Sequence, residues 1–124
     1  MKILIVDDDD IMLQLVAHQL RNLGEYNVIA TTNGKNAIKL AEKHQPDMII
    51  TDLLMPIASG SELVEYVRET LKLNTFIIVV SAIGLDNVRK EALEMGANRF
   101  MTKPFDLKQL MACIQEVNAL SQAS

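Results

Sequence analysis

Short apolar runs rich in isoleucine and valine alternate along the chain with longer stretches in which apolar residues recur at helical spacing. The runs predict strands at residues 2–6, 26–31, 48–51, 76–80 and 99–102, because their length and composition are typical of buried strands. The stretches between them predict helices at residues 11–23, 35–44, 62–71, 86–95 and from 106 onward. Strands that alternate with helices form a parallel sheet with helices on both faces, so the pattern predicts an α/β domain.

Polar residues and glycines mark the ends of the predicted helices. Asp10 is a suitable N-cap for the first helix and Asp86 for the fourth, because carboxylates there accept hydrogen bonds from free helix N–H groups. Gly24 and Gly96 are placed to end the same two helices. Residues 118–124 are polar, and we expect them to fray. The sequence therefore predicts one domain over residues 1–120, followed by a polar tail at 121–124.

The composition narrows the classes of protein to consider. Hydrophobic residues make up 49% of the 124 residues, which is enough for one core and argues against disorder. The formal net charge of −4 argues against direct nucleic-acid binding, which needs a basic face. A single cysteine, Cys113, allows no internal disulfide and suits a reducing compartment. The apolar runs are too short for a membrane span or a signal peptide, so we expect a cytoplasmic protein without membrane insertion.

Polar and charged residues follow four of the predicted strands. Aspartates occupy residues 7–10 after the first strand, and Asp52 follows the third. Ser81 follows the fourth strand and Lys103 the fifth. Each of these residues alone is common in turns, caps or solvated loops. Together they should meet at the carboxyl edge of a parallel sheet, where the ligand sites of such sheets lie.

The charges expected at this edge indicate a metal-assisted reaction. Asp7, Asp8 and Asp52 bring three negative charges together, and Lys103 returns one positive charge. Carboxylates held this close either become protonated or recruit a cation. Oxygen ligands without His or Cys select a hard ion, with Mg²⁺ the first choice and Mn²⁺ the alternative. A carboxylate can also act as a nucleophile and form an aspartyl phosphate, so the residues favour phosphoryl transfer.

Four motifs resemble those of the receiver domain of two-component response regulators, including the chemotaxis regulators. They are Ile3-Leu4-Ile5-Val6-Asp7-Asp8, Asp52-Leu53-Leu54-Met55-Pro56, Ser81-Ala82 and Lys103-Pro104-Phe105. The resemblance covers residues 1 to about 120 and implies a flavodoxin-like (βα)5 fold with the strand order 2-1-3-4-5. It also implies a phosphorelay signalling module that catalyses only its own phosphorylation and dephosphorylation.

The resemblance assigns chemical roles to the charged residues. Asp52 would accept a phosphoryl group from a histidine kinase or a phosphotransfer protein. Asp7, Asp8 and Asp52, with the main-chain carbonyl of Leu54, would hold Mg²⁺. Lys103 would pair with the phosphoryl group.

The resemblance also implies a switch. Ser81 would turn toward the phosphoryl group and Phe100 would change rotamer. The surface of the fourth helix, fifth strand and fifth helix would then control a downstream partner or form a dimer. The Lys103–Pro104 peptide bond would be cis, a form that X-Pro bonds adopt at modest cost.

Two features of the sequence depart from or refine this pattern. Relatives often have an Asp-Gly pair soon after the Met-Pro pair, whereas this chain has Ile57-Ala58-Ser59-Gly60 and keeps only the glycine. This departure affects the expectation for partner recognition. Leu54 and Ile83 lie two residues beyond Asp52 and Ser81. Because both are apolar and should hinder an attacking water, we expect a long-lived phosphoryl group.

Other functions are open at this level. Asp8-x-Asp10 also resembles haloacid-dehalogenase-type phosphatases, although Met12 replaces their usual Thr or Val. Phosphorylation of Asp8 would favour that enzyme, and phosphorylation of Asp52 a receiver. A flavin carrier of the same fold is disfavoured by four aspartates where a phosphate would bind. A receiver that serves only as a scaffold is disfavoured because each expected charged residue is present.

Overall fold

The computed structural model describes residues 1–54 and 59–123, with the backbone alone for residues 121–123. The strands are β1 (Lys2–Val6), β2 (Asn27–Thr31), β3 (Met48–Asp52), β4 (Phe76–Ser81) and β5 (Arg99–Thr102). They form one parallel sheet in the order β2-β1-β3-β4-β5, as predicted. The helices are α1 (Asp10–Asn22), α2 (Gly34–His44), α3 (Gly60–Glu65), α4 (Asp86–Met95) and α5 (Leu107–Ala123), and a π-helical turn (Tyr66–Thr70) follows α3.

Helices cover both faces of the sheet. Alternate residues of each strand point to opposite faces, so each strand contributes side chains to two buried clusters. On one face, Ile3 and Ile5 of β1 are buried in a cluster with Leu13 and Leu20 of α1 and Ile114 of α5. The other face carries a second buried cluster from β1, α2, α3 and α4, which includes Leu4, Ala37, Leu63 and Ala92. Burial on both faces explains why the strands are continuous apolar runs in the sequence.

The order of the strands fixes where a site can form. The strand order reverses at β1, which has β2 on one side and β3 on the other. Ligands of open α/β sheets bind outside the carboxyl ends of the strands at this point. Val6 of β1 lies opposite Thr51 of β3, so Asp7 and Asp52 leave the sheet side by side.

The N-caps of two helices differ from the predictions. Asp9, not Asp10, caps α1: its Oδ1 accepts hydrogen bonds from the N–H groups of Ile11 (3.1 Å) and Met12 (3.3 Å). Asp10 is instead the first helical residue, where its charge suits the positive end of the helix dipole. Leu85 is the N-cap residue of α4 and provides no side-chain acceptor, with Asp86 in the first turn. Gly96 ends α4 as predicted, with a φ of 120°.

The N-termini of α2 and α3 follow the common capping rules. The Asn33 side chain accepts a hydrogen bond from the N–H of Asn36 at 2.7 Å, which caps α2. Ser59 accepts one from the N–H of Glu62 at 3.2 Å, which caps α3. Polar residues with short side chains are favoured at this position because they satisfy the free N–H groups of the first turn.

Two helical segments differ from the apolar pattern. The predicted helix over 62–71 begins at Gly60 and changes to a π-helical turn, in which the Leu71 N–H donates to the Tyr66 carbonyl at 2.9 Å. The helix α5 runs past Asn118 to Ala123, where we expected a frayed tail, and the Asn118 side chain is buried. The domain boundary at residue 120 remains a prediction. No helix in the described residues has the length and apolar character needed to cross a membrane.

Candidate functional site

Three carboxylates meet at the carboxyl edge of the central strands. Asp7 and Asp8 follow β1, and Asp52 is the last residue of β3. One carboxylate oxygen from each residue lies within 4.8 Å of the other two. Asp7 and Asp52 are only 7% and 8% exposed, whereas Asp8 is exposed. Two carboxylates of the cluster are therefore buried, and the third, from Asp8, is open to solvent.

Lys103 reaches into this cluster from the end of β5. Its Nζ lies 2.9 Å from Asp52 Oδ2 and 3.0 Å from Asp7 Oδ2, with Asp7 Oδ1 at 3.3 Å. The Lys103 N–H donates to the Ser81 carbonyl at 2.8 Å, which ties the residue to the end of β4. The peptide bond between Lys103 and Pro104 is cis. The structure thus joins all four charged residues singled out in the sequence in one crevice.

Asp7 is also oriented by the start of α1. The Asp9 N–H donates to Asp7 Oδ1 at 2.9 Å, while the Asp9 carboxylate caps the helix. A hydrogen bond to a main-chain N–H holds a carboxylate more firmly than a solvent contact does, because the donor cannot turn away. The loop from β1 to α1 therefore sets the direction of one acid of the cluster.

The charges of the site shift two pKa values. The pKa of Asp52 is raised above its ordinary value, mainly because the carboxyl group is buried. Lys103 lowers this pKa through its hydrogen bond and charge, whereas the charges of Asp7 and Asp8 raise it. Burial lowers the pKa of Lys103, but Asp52 and Asp7 outweigh burial and raise it. Both shifts are consistent with an excess of negative charge in a crevice partly shielded from water.

The donor atoms of this cluster fit a hard divalent cation. They are carboxylate oxygens, and the group of described residues that could hold a metal ion contains neither His nor Cys. Oxygen donors with one open side suit an ion that keeps part of its water shell. Leu54, whose carbonyl the resemblance assigns to the metal, lies two residues beyond Asp52 and is 56% exposed. Met55, Pro56, Ile57 and Ala58 lie outside the described residues.

Ser81 and Phe100, the two residues expected to form the switch, make different kinds of contact. Ser81 is 1% exposed, and its Oγ accepts a hydrogen bond from the Ile83 N–H at 3.1 Å. The described hydrogen bonds of the Ser81 side chain thus do not include the acids of the cluster. Phe100 of β5 is partly buried against the second core cluster. In this state the hydroxyl is directed to its own loop rather than to Asp52.

Sequence reasoning missed the neighbours that support Asp52. The Thr51 hydroxyl donates to the main-chain carbonyl of Asp52 at 2.9 Å, and Gly60 packs against the same carbonyl. One signal was present, because Thr51 is a polar residue in an otherwise apolar strand. Gly60 was noted as the glycine kept after the Met-Pro pair, but glycine has many uses and its contact with the Asp52 carbonyl could not be inferred.

Comparison with known proteins places the chain in a family. Residues 3–115 match the response regulator receiver domain. The chain is 34% identical over 116 residues to the alkaline phosphatase synthesis transcriptional regulatory protein PhoP of Bacillus subtilis, over 94% of this chain and 48% of that protein. The chain thus spans about half the length of that relative.

Solved structures agree with this match. The receiver domain of Francisella response regulator 1452 superposes with a TM-score of 0.88 at 26% identity, covering 97% of this chain and 98% of that one. The chemotaxis response regulator CheY4 of Vibrio cholerae superposes with a TM-score of 0.84 at 32% identity, covering 94% and 97%.

The fold and the cluster define a doubly wound α/β protein with an acidic site at the carboxyl ends of its strands. The chain belongs to the response regulator receiver domain family of two-component signalling. The flavodoxin-like order 2-1-3-4-5 is confirmed. The alternative of a haloacid-dehalogenase-type phosphatase is not retained, because the family match and these structural relatives are receiver domains.

Proposed function

We propose that the protein accepts a phosphoryl group onto Asp52 in a reaction that requires Mg²⁺ or Mn²⁺. The observation that carries this proposal is the Asp52 carboxylate, buried next to Asp7 and Asp8 and held by Lys103 at 2.9 Å. A carboxylate fixed beside a cation and further acids suits nucleophilic attack at phosphorus. Burying these carboxylates costs free energy, and such a reaction gives that cost a functional reason.

The chemical step is an exchange of one bond to phosphorus for another. A carboxylate oxygen of Asp52 attacks the phosphorus of a phosphohistidine, a P–O bond forms, and the P–N bond breaks, with the imidazole as the leaving group. Lys103 stays protonated and contacts the transferred group, which its raised pKa favours. The metal, held by Asp7, Asp8, Asp52 and the Leu54 carbonyl, would screen the charge on the phosphoryl oxygens.

The modified carboxylate then changes its surroundings. A phosphoryl group adds roughly 1.5 to 2 negative charges by analogy with other side-chain phosphates. The Ser81 hydroxyl accepts a bond from Ile83 and still has its own proton to donate, so it can bond to the phosphoryl group. Movement of the Ser81 loop leaves space that Phe100 can fill. The population then shifts toward a different surface on α4, β5 and α5.

The partners follow from these steps. A histidine kinase or a phosphotransfer protein supplies the phosphoryl group in the cytoplasm. The surface of α4, β5 and α5 controls a downstream protein, an output domain or a second copy of the chain. We infer no direct nucleic-acid contact for this domain, because its net charge of −4 does not provide the basic face that such contact needs. Its catalysis is limited to its own phosphorylation and dephosphorylation.

A small phosphodonor tests the proposal directly. Wild type incubated with acetyl phosphate and Mg²⁺ should gain one phosphoryl group by intact mass, and chelation of the metal should prevent it. Asp52→Asn should stay unmodified, whereas Asp47→Asn, an exposed aspartate at the other end of β3, should react as wild type does. Peptide mapping that locates the group on Asp8, or modification that persists without a divalent metal, would refute the proposal.

A further inference from the structure

The main chain that carries Asp52 is fixed from several sides at the end of β3. The Leu53 N–H donates to the Val80 carbonyl at 2.9 Å, which continues the pairing of β3 with β4. The Leu53 carbonyl accepts a hydrogen bond from the Gly60 N–H at 2.9 Å. The Asp52 carbonyl accepts one from the Thr51 hydroxyl at 2.9 Å. Each polar group of the Asp52–Leu53 peptide unit therefore has a partner, and so does the next carbonyl.

The Thr51 hydroxyl differs from the other two partners because it is a side chain. Thr51 is fully buried, and its hydrogen bond is made to the residue that carries the carboxylate rather than to a distant segment. A buried hydroxyl needs a partner, so one reading is that Thr51 merely satisfies itself. A valine of nearly the same shape would remove that need, and it would match the apolar residues elsewhere in the strand.

Gly60 acts on the same carbonyl from outside the strand. A Cβ added at Gly60 would collide with the Asp52 carbonyl oxygen, and it would lie 3.0 Å from both the Asp52 carbonyl carbon and Leu53 Cα. These atoms are main chain and cannot swing aside as the end of a long side chain can. The first residue of α3 thus closes over the peptide unit that Thr51 holds from within.

We propose that Thr51 is a positioning residue for the phosphoryl acceptor. Its hydroxyl fixes the plane of the Asp52–Leu53 peptide unit, with Gly60 closing over the carbonyl. This plane sets the direction of the Asp52 carboxylate toward Lys103 and of the main chain that leads to the Leu54 carbonyl. The inference rests on the proposed function for its consequence, because a misdirected carboxylate matters only when it has to attack. A displacement of about 1 Å can lower the rate of such a step by about a hundredfold.

The chain offers a matched control for this role. Thr75 is also buried, and its hydroxyl donates to the Pro46 carbonyl at 2.8 Å, but it lies before β4 at the opposite end of the sheet. Thr51→Val and Thr75→Val therefore remove the same kind of hydrogen bond, one beside the site and one far from it. Thr51→Ser keeps the hydroxyl and should rescue whatever the valine removes.

The experiment measures two properties of these variants. The first is the rate of phosphorylation by acetyl phosphate at saturating Mg²⁺, together with the apparent affinity for Mg²⁺. The second is amide hydrogen exchange at Leu53 and Gly60 without phosphodonor, with thermal unfolding as a measure of stability. Thr51→Val should react about tenfold more slowly, with faster exchange at both amides. Thr75→Val should lose similar stability and keep the wild-type rate, and Thr51→Ser should react within about twofold of wild type.

The outcomes separate the two hypotheses. Wild-type protein that is not phosphorylated would overturn the proposed function, and the exchange at Leu53 and Gly60 would still test the positioning role. A reactive wild type with Thr51→Val at the same rate would overturn the positioning role alone. The same slowing in Thr75→Val would also overturn it, since the loss would then be one of general stability.

Discussion

The two ends of the sheet each hold a partly buried cation, and the two cations have opposite surroundings. At the carboxyl end, Lys103 contacts Asp7 and Asp52 in a cluster with more negative than positive charge. At the amino end, Arg68 of the π-helical turn donates five hydrogen bonds of 2.7–3.1 Å to neutral oxygens. These oxygens are the carbonyls of Leu73, Thr75 and Gly96 and the side-chain oxygen of Asn98.

The comparison shows that a partly buried cationic side chain can contribute either to the chemistry of a site or to the stability of the fold. The guanidinium of Arg68 donates to the Thr75 and Gly96 carbonyls, and it thereby joins the loops before β4 and β5. Burial lowers its pKa, but each of its three nitrogens donates to at least one oxygen. Lys103 leaves negative charge unbalanced, so its site remains able to gain energy from a cation or a reaction. We expect changes at Lys103 to affect chemistry and changes at Arg68 to affect stability.

The largest effect should come from removing the ammonium group at the site. Lys103→Met should slow phosphorylation of Asp52 by acetyl phosphate about a hundredfold or more, because a preorganised positive charge on the transferring oxygens is lost. The rate is measured by intact mass at fixed Mg²⁺, with Lys43→Met, an exposed lysine on α2, as the control. If Lys103→Met reacts at the wild-type rate, the ammonium has no part in the transfer.

The matching change at the other end should destabilise the fold. Arg68→Met should lower the free energy of unfolding by about 3 kcal/mol, because it leaves several main-chain carbonyls without donors. Urea unfolding followed by circular dichroism measures this loss. The exposed Arg89→Met should change it by less than about 0.5 kcal/mol. A phosphorylation rate that falls as far as in Lys103→Met would erase the division between the two ends.

Metal should stabilise only through the acidic end. Mg²⁺ at a hundred times its dissociation constant should raise the free energy of unfolding by about 2.7 kcal/mol, because it binds the folded state. Asp8→Asn should lose most of this gain at the same Mg²⁺ concentration, whereas Arg68→Met should keep it. Equal stabilisation of Asp8→Asn and wild type in urea titrations would place the ion elsewhere.

The smallest effect concerns the lifetime of the modified state. Leu54→Asn should shorten the half-life of the phosphoryl group severalfold, because an amide can orient a water where Leu54 excludes one. Release of phosphate after removal of the donor measures the half-life. Leu120→Asn, at an exposed leucine of α5 near the opposite end of the sheet, serves as the control. A wild-type half-life of seconds that Leu54→Asn leaves unchanged would contradict the expectation of a protected group.

The sequence predicts the fold well because the determining signal is repeated. Each strand is an apolar run, and parallel strands bring their carboxyl ends to one edge, so the pattern places Asp7 and Asp52 at the same edge. That β1 and β3 are neighbours was implied only by the family resemblance, and the structure confirms it. The strand β5 begins and ends where the pattern predicts, at Arg99 and Thr102. The position of a charged residue directly after a predicted strand thus indicated that it lies at the carboxyl edge of the sheet.

The details that failed are those in which several residues compete or the partner is main chain. Four consecutive aspartates are equal candidates for the cap of α1, and only the backbone angles select Asp9 over Asp10. The π-helical turn leaves no mark in apolar spacing. Arg68 and Thr51 bond to carbonyls, which every residue has, so their partners cannot be identified from residue types.

The starts of the helices are fastened to different degrees. Asp9, Asn33 and Ser59 each anchor a first turn through a side-chain acceptor, an interaction worth about 1 kcal/mol. The helix α4 begins after Leu85 without one, and it is the helix that follows the Ser81 loop. Shifting the opening turn of α4 therefore breaks no cap. The helix that starts without a side-chain cap thus lies directly downstream of the residue expected to sense the phosphoryl group.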